Sequence, residues 1–380
     1  MNVVKCLLAL FLSILAGAGI AWSHNRVETE KTPISVTEIA AGLRHPWAIA
    51  FLPDGRMLVT ERIGKMRIIA DDGTIGSALD GLPKVDARGQ GGLLDVAVHP
   101  RFADNRLVYW SFAEPGEGGN STAVARGRLS QDESALTDVE VIFSQRPKVR
   151  STGHFGSRLV FDGEGRLFVT LGERSSAQFR VQAQDLTSHL GKIVRLNEDG
   201  SVPKDNPFAG KDGARPEIWS YGHRNVQAAA LNPTTGELWE IEHGPMGGDE
   251  LNVAEAGRNY GWPVISYGVN YDGSPVGSGK AKAEGMEDPL YQWTPVIAPS
   301  GMIFYSGRLA PQWERNIFVG GLGSQALVRL EVEGRKVVHE ERLLRNLGER
   351  IRDVAEGPDG AIYVATDADN GKILRIVPGS

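Results

Sequence analysis

The chain of 380 residues holds a single cysteine, Cys6. It can form no internal disulfide, and zinc sites built from several thiolates are excluded. Positive charge is also scarce: 41 Lys and Arg against 47 Asp and Glu give a net charge of −6. That balance lacks the basic footprint of a nucleic-acid-binding protein. No Gly-x-Gly-x-x-Gly unit follows a strand and opens a helix, which argues against a nicotinamide cofactor. No stretch of 12 residues or more sustains helical periodicity, so the chain is not built from helices. The long apolar run Cys6 to Ile20 is too short for a membrane span. Lys5 stands before it and Ala21-Trp22-Ser23 after it, the pattern of an export signal over residues 1–23. An uncleaved N-terminal anchor is the alternative. Cys6 leaves with the signal and does not sit at the small-residue cleavage site, so no lipid anchor is expected there. A cysteine-free exported protein with no membrane span in its mature form suits a bacterial periplasm.

Turn-formers are abundant, with 47 glycines and 20 prolines. They punctuate short alternating runs that recur along the chain. The first copy is Trp47 to Leu52, a Pro53-Asp54-Gly55 turn, Met57 to Thr60 and Met66 to Ala70; Gly92 to Val98 begins the second. A third runs Ser157 to Phe161, turns at Asp162-Gly163-Glu164-Gly165 and continues through Leu167 to Leu171. Further copies start at Asn225, Gly301 and Asp353, the repeat being taken to begin near Ile34. Six units of roughly 60 residues, each with three or four antiparallel strands, predict an all-β, six-bladed β-propeller as a single domain over residues 34–380. A long sandwich would not account for six similar units. The largest departure from the repeat is Glu242 to Trp293, a Gly- and aromatic-rich insertion expected to be ordered.

In a propeller the first strand of each blade lines the central channel, so residues just ahead of those strands share one mouth. These are Gln90, His154, Arg224 with Asn225, and Arg350 with Arg352. Arg350 and Arg352 are two apart, so in extended backbone both point the same way and can hold carboxylates. Each residue has a plainer reading: His154 as a hydrogen-bonded core histidine, the arginines as an edge paired with Glu349 or Asp353. Arg158 and Glu173 are expected to pair structurally, with the alternative that either reaches the site. A second cluster, Glu242-His243-Gly244-Pro245-Met246-Gly247-Gly248-Asp249-Glu250, sets carboxylates in glycine-rich backbone, which suits Ca²⁺ or a plain acidic loop.

These motifs, in this order, resemble the soluble glucose/sorbosone dehydrogenases that use pyrroloquinoline quinone (PQQ). They are Gly89-Gln90-Gly91-Gly92, His154-Phe155-Gly156-Ser157-Arg158, Tyr221-Gly222-His223-Arg224-Asn225, Glu242-His243-Gly244-Pro245, Gly248-Asp249-Glu250-Leu251-Asn252, Asn259-Tyr260-Gly261-Trp262-Pro263 and Arg350-Ile351-Arg352-Asp353. The resemblance implies a six-bladed propeller that oxidises the anomeric hydroxyl of an aldose to a lactone. It implies His154 as general base, Gln90 as a positioning group, and Arg224, Asn225, Tyr271, Arg350 and Arg352 as holders of PQQ. It implies Ca²⁺ on the carbonyls of Gly244 and Pro245, and a structural Ca²⁺ on Glu250 and the Tyr260 carbonyl. Electrons would pass to an unidentified acceptor, and monomer and homodimer are both open. The sequence departs from the family pattern at Gly323, where relatives carry a lysine on PQQ, and at Val226 in place of proline. It departs again at Gly153, where Asn or Asp is usual, removing one orienting partner for the imidazole. Two other functions compete: a Ca²⁺-dependent lactonase-like hydrolase, and a non-catalytic propeller that binds carbohydrate or protein.

Overall fold

A computed structural model describes residues 25–379; the export signal expected over residues 1–23 lies outside them. Six antiparallel sheets form the chain, five of them simple meanders and the sixth completed by strands from the N-terminal part. Their inner strands are Pro46–Phe51, Leu93–Val98, Gly156–Phe161, Val226–Leu231, Pro299–Phe304 and Ile351–Glu356. We number the blades 1 to 6 in that order. Each inner strand touches the next, and blade 6 touches blade 1, so the strands close a circle. The expected six-bladed propeller is therefore what the chain forms.

Closure of the ring was not legible in the repeat. Ile34–Leu43 does not open blade 1; it completes blade 6. It pairs with Gly371–Pro378 in a register running from Ile34↔Pro378 to Leu43↔Gly371, and Asn25–Val27 adds a fifth strand outside it. The two ends of the chain are thus zipped together by backbone hydrogen bonds, and no terminal blade is left with an inner edge to aggregate.

The second strand of each blade has neighbouring blades on both faces. Met57–Glu61, Leu167–Leu171, Leu238–Glu242, Ile317–Gly321 and Ile362–Thr366 are buried at every position. This explains why these strands read as nearly continuous apolar runs rather than alternating ones. Trp47, Leu58, Leu93, Trp110 and Phe112 pack in one cluster, and Trp239, Ile241, Ile317 and Val319 in another. Each such side chain contributes roughly 1.5–3 kcal/mol on burial. The inner hairpin turns of blades 1, 3 and 6 end on Gly55, Gly165 and Gly360, with φ of +96°, +81° and +81°. Only glycine takes that conformation without strain.

Across the channel axis Arg158 Nη1 lies 2.9 Å from Asp95 and 3.0 Å from Asp353, so three blades meet on one guanidinium. Its face stacks on Trp47, 4.6 Å from the ring centre. Each of these charged residues is third in its inner strand. The same place in blade 5 holds Gly301, where a Cβ would lie 2.0 Å from Asp353 Oδ1. Small residues at the ring's other positions thus leave room for the arginine. The expected Arg158–Glu173 pair does not form, because Arg158 is spent on these two aspartates. Among the described residues no helix is long and apolar enough to cross a membrane.

Candidate active site

One geometrical rule assembles the site. In blades 1 and 3 to 6 the residue just ahead of the inner strand faces the residue just after the second strand; in blade 2 the second strand, Leu107–Gly116, runs on past that point. Backbone bonds Arg62 N to His45 O, Ala113 N to Gly92 O, His243 N to Asn225 O, Leu322 N to Ala298 O and Asp367 N to Arg350 O mark this line in blades 1, 2, 4, 5 and 6. In blade 3 Gly156 pairs with Leu171. Two residues back along one strand and two on along the other set His154 opposite Glu173.

His154 is buried and held at φ +49° by the turn into its strand. Its backbone N–H donates to Gln90 Oε1 at 2.8 Å, so Gln90 of the blade 2 connector is fastened to the histidine. The ring Nδ1 lies 2.8 Å from Glu173 Oε1, and the other carboxylate oxygen accepts from Ser175 N at 2.6 Å. A carboxylate on Nδ1 fixes that nitrogen as the protonated one and leaves Nε2 free to accept a proton. Burial, then the charge of Arg224, lower the His154 pKa against the pull of Glu173. The imidazole is therefore held oriented, with its pKa lowered and Nε2 left as an acceptor. Glu173 supplies the orienting partner that Gly153 was expected to remove; its place across the hairpin from His154 was the signal available in the sequence.

The arginines gather on the opposite side. Arg352 is buried, donating to Gln227 Oε1 at 2.9 Å and to Asp367 Oδ2 at 2.9 Å. Arg350 is about half exposed and reaches the same oxygen at 3.3 Å and the Leu322 carbonyl at 3.2 Å. The pair does point one way, but it meets Asp367 rather than Glu349 or Asp353. Burial alone would raise the Asp367 carboxyl; Arg352, His45 and Arg62 hold it well below the usual carboxylate range. Arg62, not singled out in the sequence, follows the second strand of blade 1 and adds a third cation to one aspartate. In blade 4, Arg224 donates to the carbonyls of His243 at 3.0 Å and Gly244 at 2.8 Å, and lies 5.1 Å from the Trp262 ring centre. Asn225 Oδ1 accepts from Gly156 N at 3.0 Å. Three buried donors on these residues, Arg224 Nε, Asn225 Nδ2 and Arg352 Nε, have no hydrogen-bond partner among the described residues, and neither has Arg62 Nε. Buried unpaired donors are costly, and a ligand rich in carboxylates and carbonyls is what they fit.

The insertion of blade 4 carries the acidic cluster. Asp249 is consumed structurally: it accepts from the backbone N–H of Gly244, Ile297 and Ala298, each at 2.8 Å. Burial pushes its carboxyl up to about 6. His243 donates from Nε2 to the Pro299 carbonyl at 2.6 Å, and burial pushes its pKa down to about 3. Neither is free to bind a metal. Glu242, Glu250, Gly248 and Tyr260 line a cavity of about 10 Å³, with Gly244 and Pro245 in its wall. That is room for about one water or ion. Burial and the charge of Glu242 raise Glu240 and Glu250 well above the usual carboxylate range, while Glu240 Oε2 has no partner. Carboxylates crowded in this way fit a cation. Tyr271 is 75 % exposed. Its neighbour Asn270 accepts from Arg180 at 2.9 Å, and Arg180 lies over Trp262, the ring beneath Arg224. Gly323 packs against Ile297 and Ala298, where a Cβ would meet atoms at 3.2 Å, so a longer side chain there is crowded.

A closed six-bladed ring with an oriented histidine and an anion-seeking arginine wall at one mouth is the frame of a sugar dehydrogenase. Residues 43–375 match the Glucose / Sorbosone dehydrogenase family, and the chain belongs to it. It is 46% identical over 348 residues to the aldose sugar dehydrogenase of Escherichia coli (strain K12), covering 91% of this chain and 93% of that one. The crystal structure of the soluble aldose sugar dehydrogenase from Escherichia coli in its apo-form superposes with a TM-score of 0.88 at 45% identity, covering 91% of this chain and 100% of that one. The PQQ-bound form of the aldose sugar dehydrogenase from Streptomyces coelicolor superposes at 0.73 with 28% identity, covering 90% of this chain and 98% of that one.

Proposed function

We propose that this protein oxidises the anomeric C1 hydroxyl of aldoses to the lactone, using PQQ and Ca²⁺, in the periplasm to which its N-terminal segment directs it. The observation that carries the reading is the set of buried, unpartnered donors on Arg224, Asn225 and Arg352, facing the same mouth as a neutral, carboxylate-oriented His154. PQQ is a quinone with three carboxylates. Arg224, Asn225, Arg350 and Arg352 would hold it, with Tyr271 of the insertion as a further contact. The carbonyls of Gly244 and Pro245 would hold the Ca²⁺ beside it; Glu250 and the Tyr260 carbonyl would take a structural one. When bound, the quinone accepts the hydride and the metal stabilises the charge that arrives with it.

The protein's own share is proton handling and positioning. His154 Nε2 takes the proton of the C1 hydroxyl as hydride leaves C1. Glu173 stabilises the imidazolium that forms and prevents the ring from turning. Gln90, tied to the His154 backbone, places its amide beside the sugar. Electrons then leave to an external acceptor. A lactonase-like hydrolase would instead need acidic side chains converging on a channel metal, whereas Asp95 and Asp353 are both engaged by Arg158.

The test is reconstitution of the purified protein with PQQ and Ca²⁺ and measurement of dye reduction with a panel of aldoses. Turnover that requires both additions is expected; no turnover and no change in quinone absorbance would reject the reading. In the same assay His154→Ala should abolish turnover while PQQ still binds.

A further inference from the structure

Beside the His154–Gln90 contact opens a cleft of about 980 Å³ between blades 2 and 3. Its lining is unusual in composition: five glycines, two arginines and five small or amide side chains, with no acidic and no aromatic residue. Gly153 joins it to the site. A Cβ there would lie 3.0 Å from Ser175 Cβ and 3.7 Å from Gln90 Oε1, so a larger residue would wall the cleft off from Gln90.

The charge around the cleft is not balanced. Arg88 is paired, donating to Asp86 at 2.6 and 2.8 Å, and Asp86 also accepts from Asn120 at 2.8 Å. Arg150 on the opposite rim is exposed, and its side chain has no partner among the described residues. Below the floor lies Arg174, fully buried. It donates to Gly153 O at 3.0 Å, Asn120 Oδ1 at 2.7 Å and Ser151 O at 2.9 Å, and stacks 3.7 Å from the Phe155 ring centre. All these acceptors are neutral, so Arg174 braces three cleft residues; the carboxylates of Glu173 and Asp86 act on its charge without forming an ion pair with it among the described residues. A neutral sugar would be served by the hydroxyls and amides alone. The lining itself holds no acid, and although Glu117 is exposed between the lining Gly116 and Gly118, an unpaired arginine on the rim and a buried guanidinium below the floor favour an anion there.

We infer that this cleft binds an anionic group carried on the substrate away from C1, making an acidic aldose such as a hexuronate a preferred substrate, with Arg150 as the specificity-determining contact and Arg174 as the residue that braces the cleft. The inference rests on the proposed C1 oxidation for its statement about substrate, and on the cleft alone for its statement about anion binding.

The test compares D-glucose, D-glucuronate and glucose 6-phosphate as substrates of the reconstituted holoenzyme, for the native protein and Arg150→Gln. Arg150 lies outside the machinery described above, so glucose turnover should be unchanged by that substitution. The KM for a charged sugar should lie roughly fivefold below that for glucose at low salt, the gain a solvent-screened charge pair supplies, and should lose that gain in Arg150→Gln or at high salt. Preference for either charged sugar upholds the site, and the better of the two tells carboxylate from phosphate. Equal KM values for all three sugars, or an equal effect of Arg150→Gln on all three, would overturn it. Calorimetric titration with methyl glucuronide and methyl glucoside, which have no free anomeric hydroxyl, separates the two readings. Arg150-dependent binding of the glucuronide alone supports the cleft even if no sugar is oxidised, whereas glucose turnover without such binding refutes the cleft and leaves the oxidation standing.

Discussion

Replacing Glu173 by glutamine tests the polar machinery at its least obvious member. The carboxylate sits 2.8 Å from His154 Nδ1, buried, with its second oxygen fixed by Ser175 N. A hydrogen bond from a charged partner contributes about 1.5–3 kcal/mol where water is excluded. That contribution is largest once the ring carries a proton, because the carboxylate then faces a full positive charge. Glutamine preserves shape and an acceptor for Nδ1–H but removes the charge. Turnover should therefore fall by roughly 10- to 100-fold, with little change in sugar KM. The pH profile gives the sign. Burial and Arg224 already lower the His154 pKa, and Glu173 opposes them. Without that opposition the pKa drops further, so the acid limb of kcat should move to lower pH although the rate at its plateau is smaller. The assay is steady-state dye reduction across pH, with PQQ binding measured separately. A loss of less than threefold, or an acid limb that moves upward, would refute the proposed role.

Three further outcomes are expected. A Cβ on Gly172 would lie 2.0 Å from the His154 carbonyl oxygen, so Gly172→Ala should shift the histidine and cost roughly 100-fold in kcat, a loss read against an unchanged quinone Kd. Arg350→Gln, at an exposed position, should weaken PQQ binding by roughly fivefold without lowering the Tm, as followed by absorbance titration and calorimetry. Removal of Ca²⁺ by a chelator should lower the Tm by about 5–10 °C, the effect of losing a ligand present at some 100 times its Kd. Glu250→Gln, which relieves the crowding of buried carboxylates, should raise the Tm of the chelated protein and abolish the calcium-dependent shift.

The blade count, the inner strands and the position of His154 were legible because a period-two apolar pattern broken by Asp-Gly turns has few other solutions. The partners of the site residues were harder to see. Proximity in sequence offers Arg158 as a structural partner for Glu173 and, in the plainer reading, Glu349 or Asp353 for the arginine pair. Glu173 and Asp367 reach their partners across a hairpin instead, through a register that a bulge in the inner strand offsets by one residue. The bulge leaves no mark in composition. Once that register is known, Asp367 and Arg62 fall at one equivalent position of two blades, and Glu173 lies one residue beyond that position in a third. The Ile34–Leu43 strand was misplaced for a different reason: it has the pattern of any strand, and only the return of the chain's far end determines which blade it joins.

The guanidinium shared by Asp95 and Asp353 has a kinetic meaning as well as a structural one. Arg158, Asp95, Asp353 and Trp47 are all buried where a tunnel would otherwise pass, and burial pushes the Asp95 carboxyl up to about 6. The axis is thus a stopper, and we propose that the site is served from its mouth alone. On the proposed reaction, sugar, lactone and electron acceptor would use it by turns, the lactone departing before the acceptor can approach. Such traffic gives double-reciprocal plots that run parallel as the acceptor is varied, and at high concentration each reactant should inhibit by occupying the doorway meant for the other.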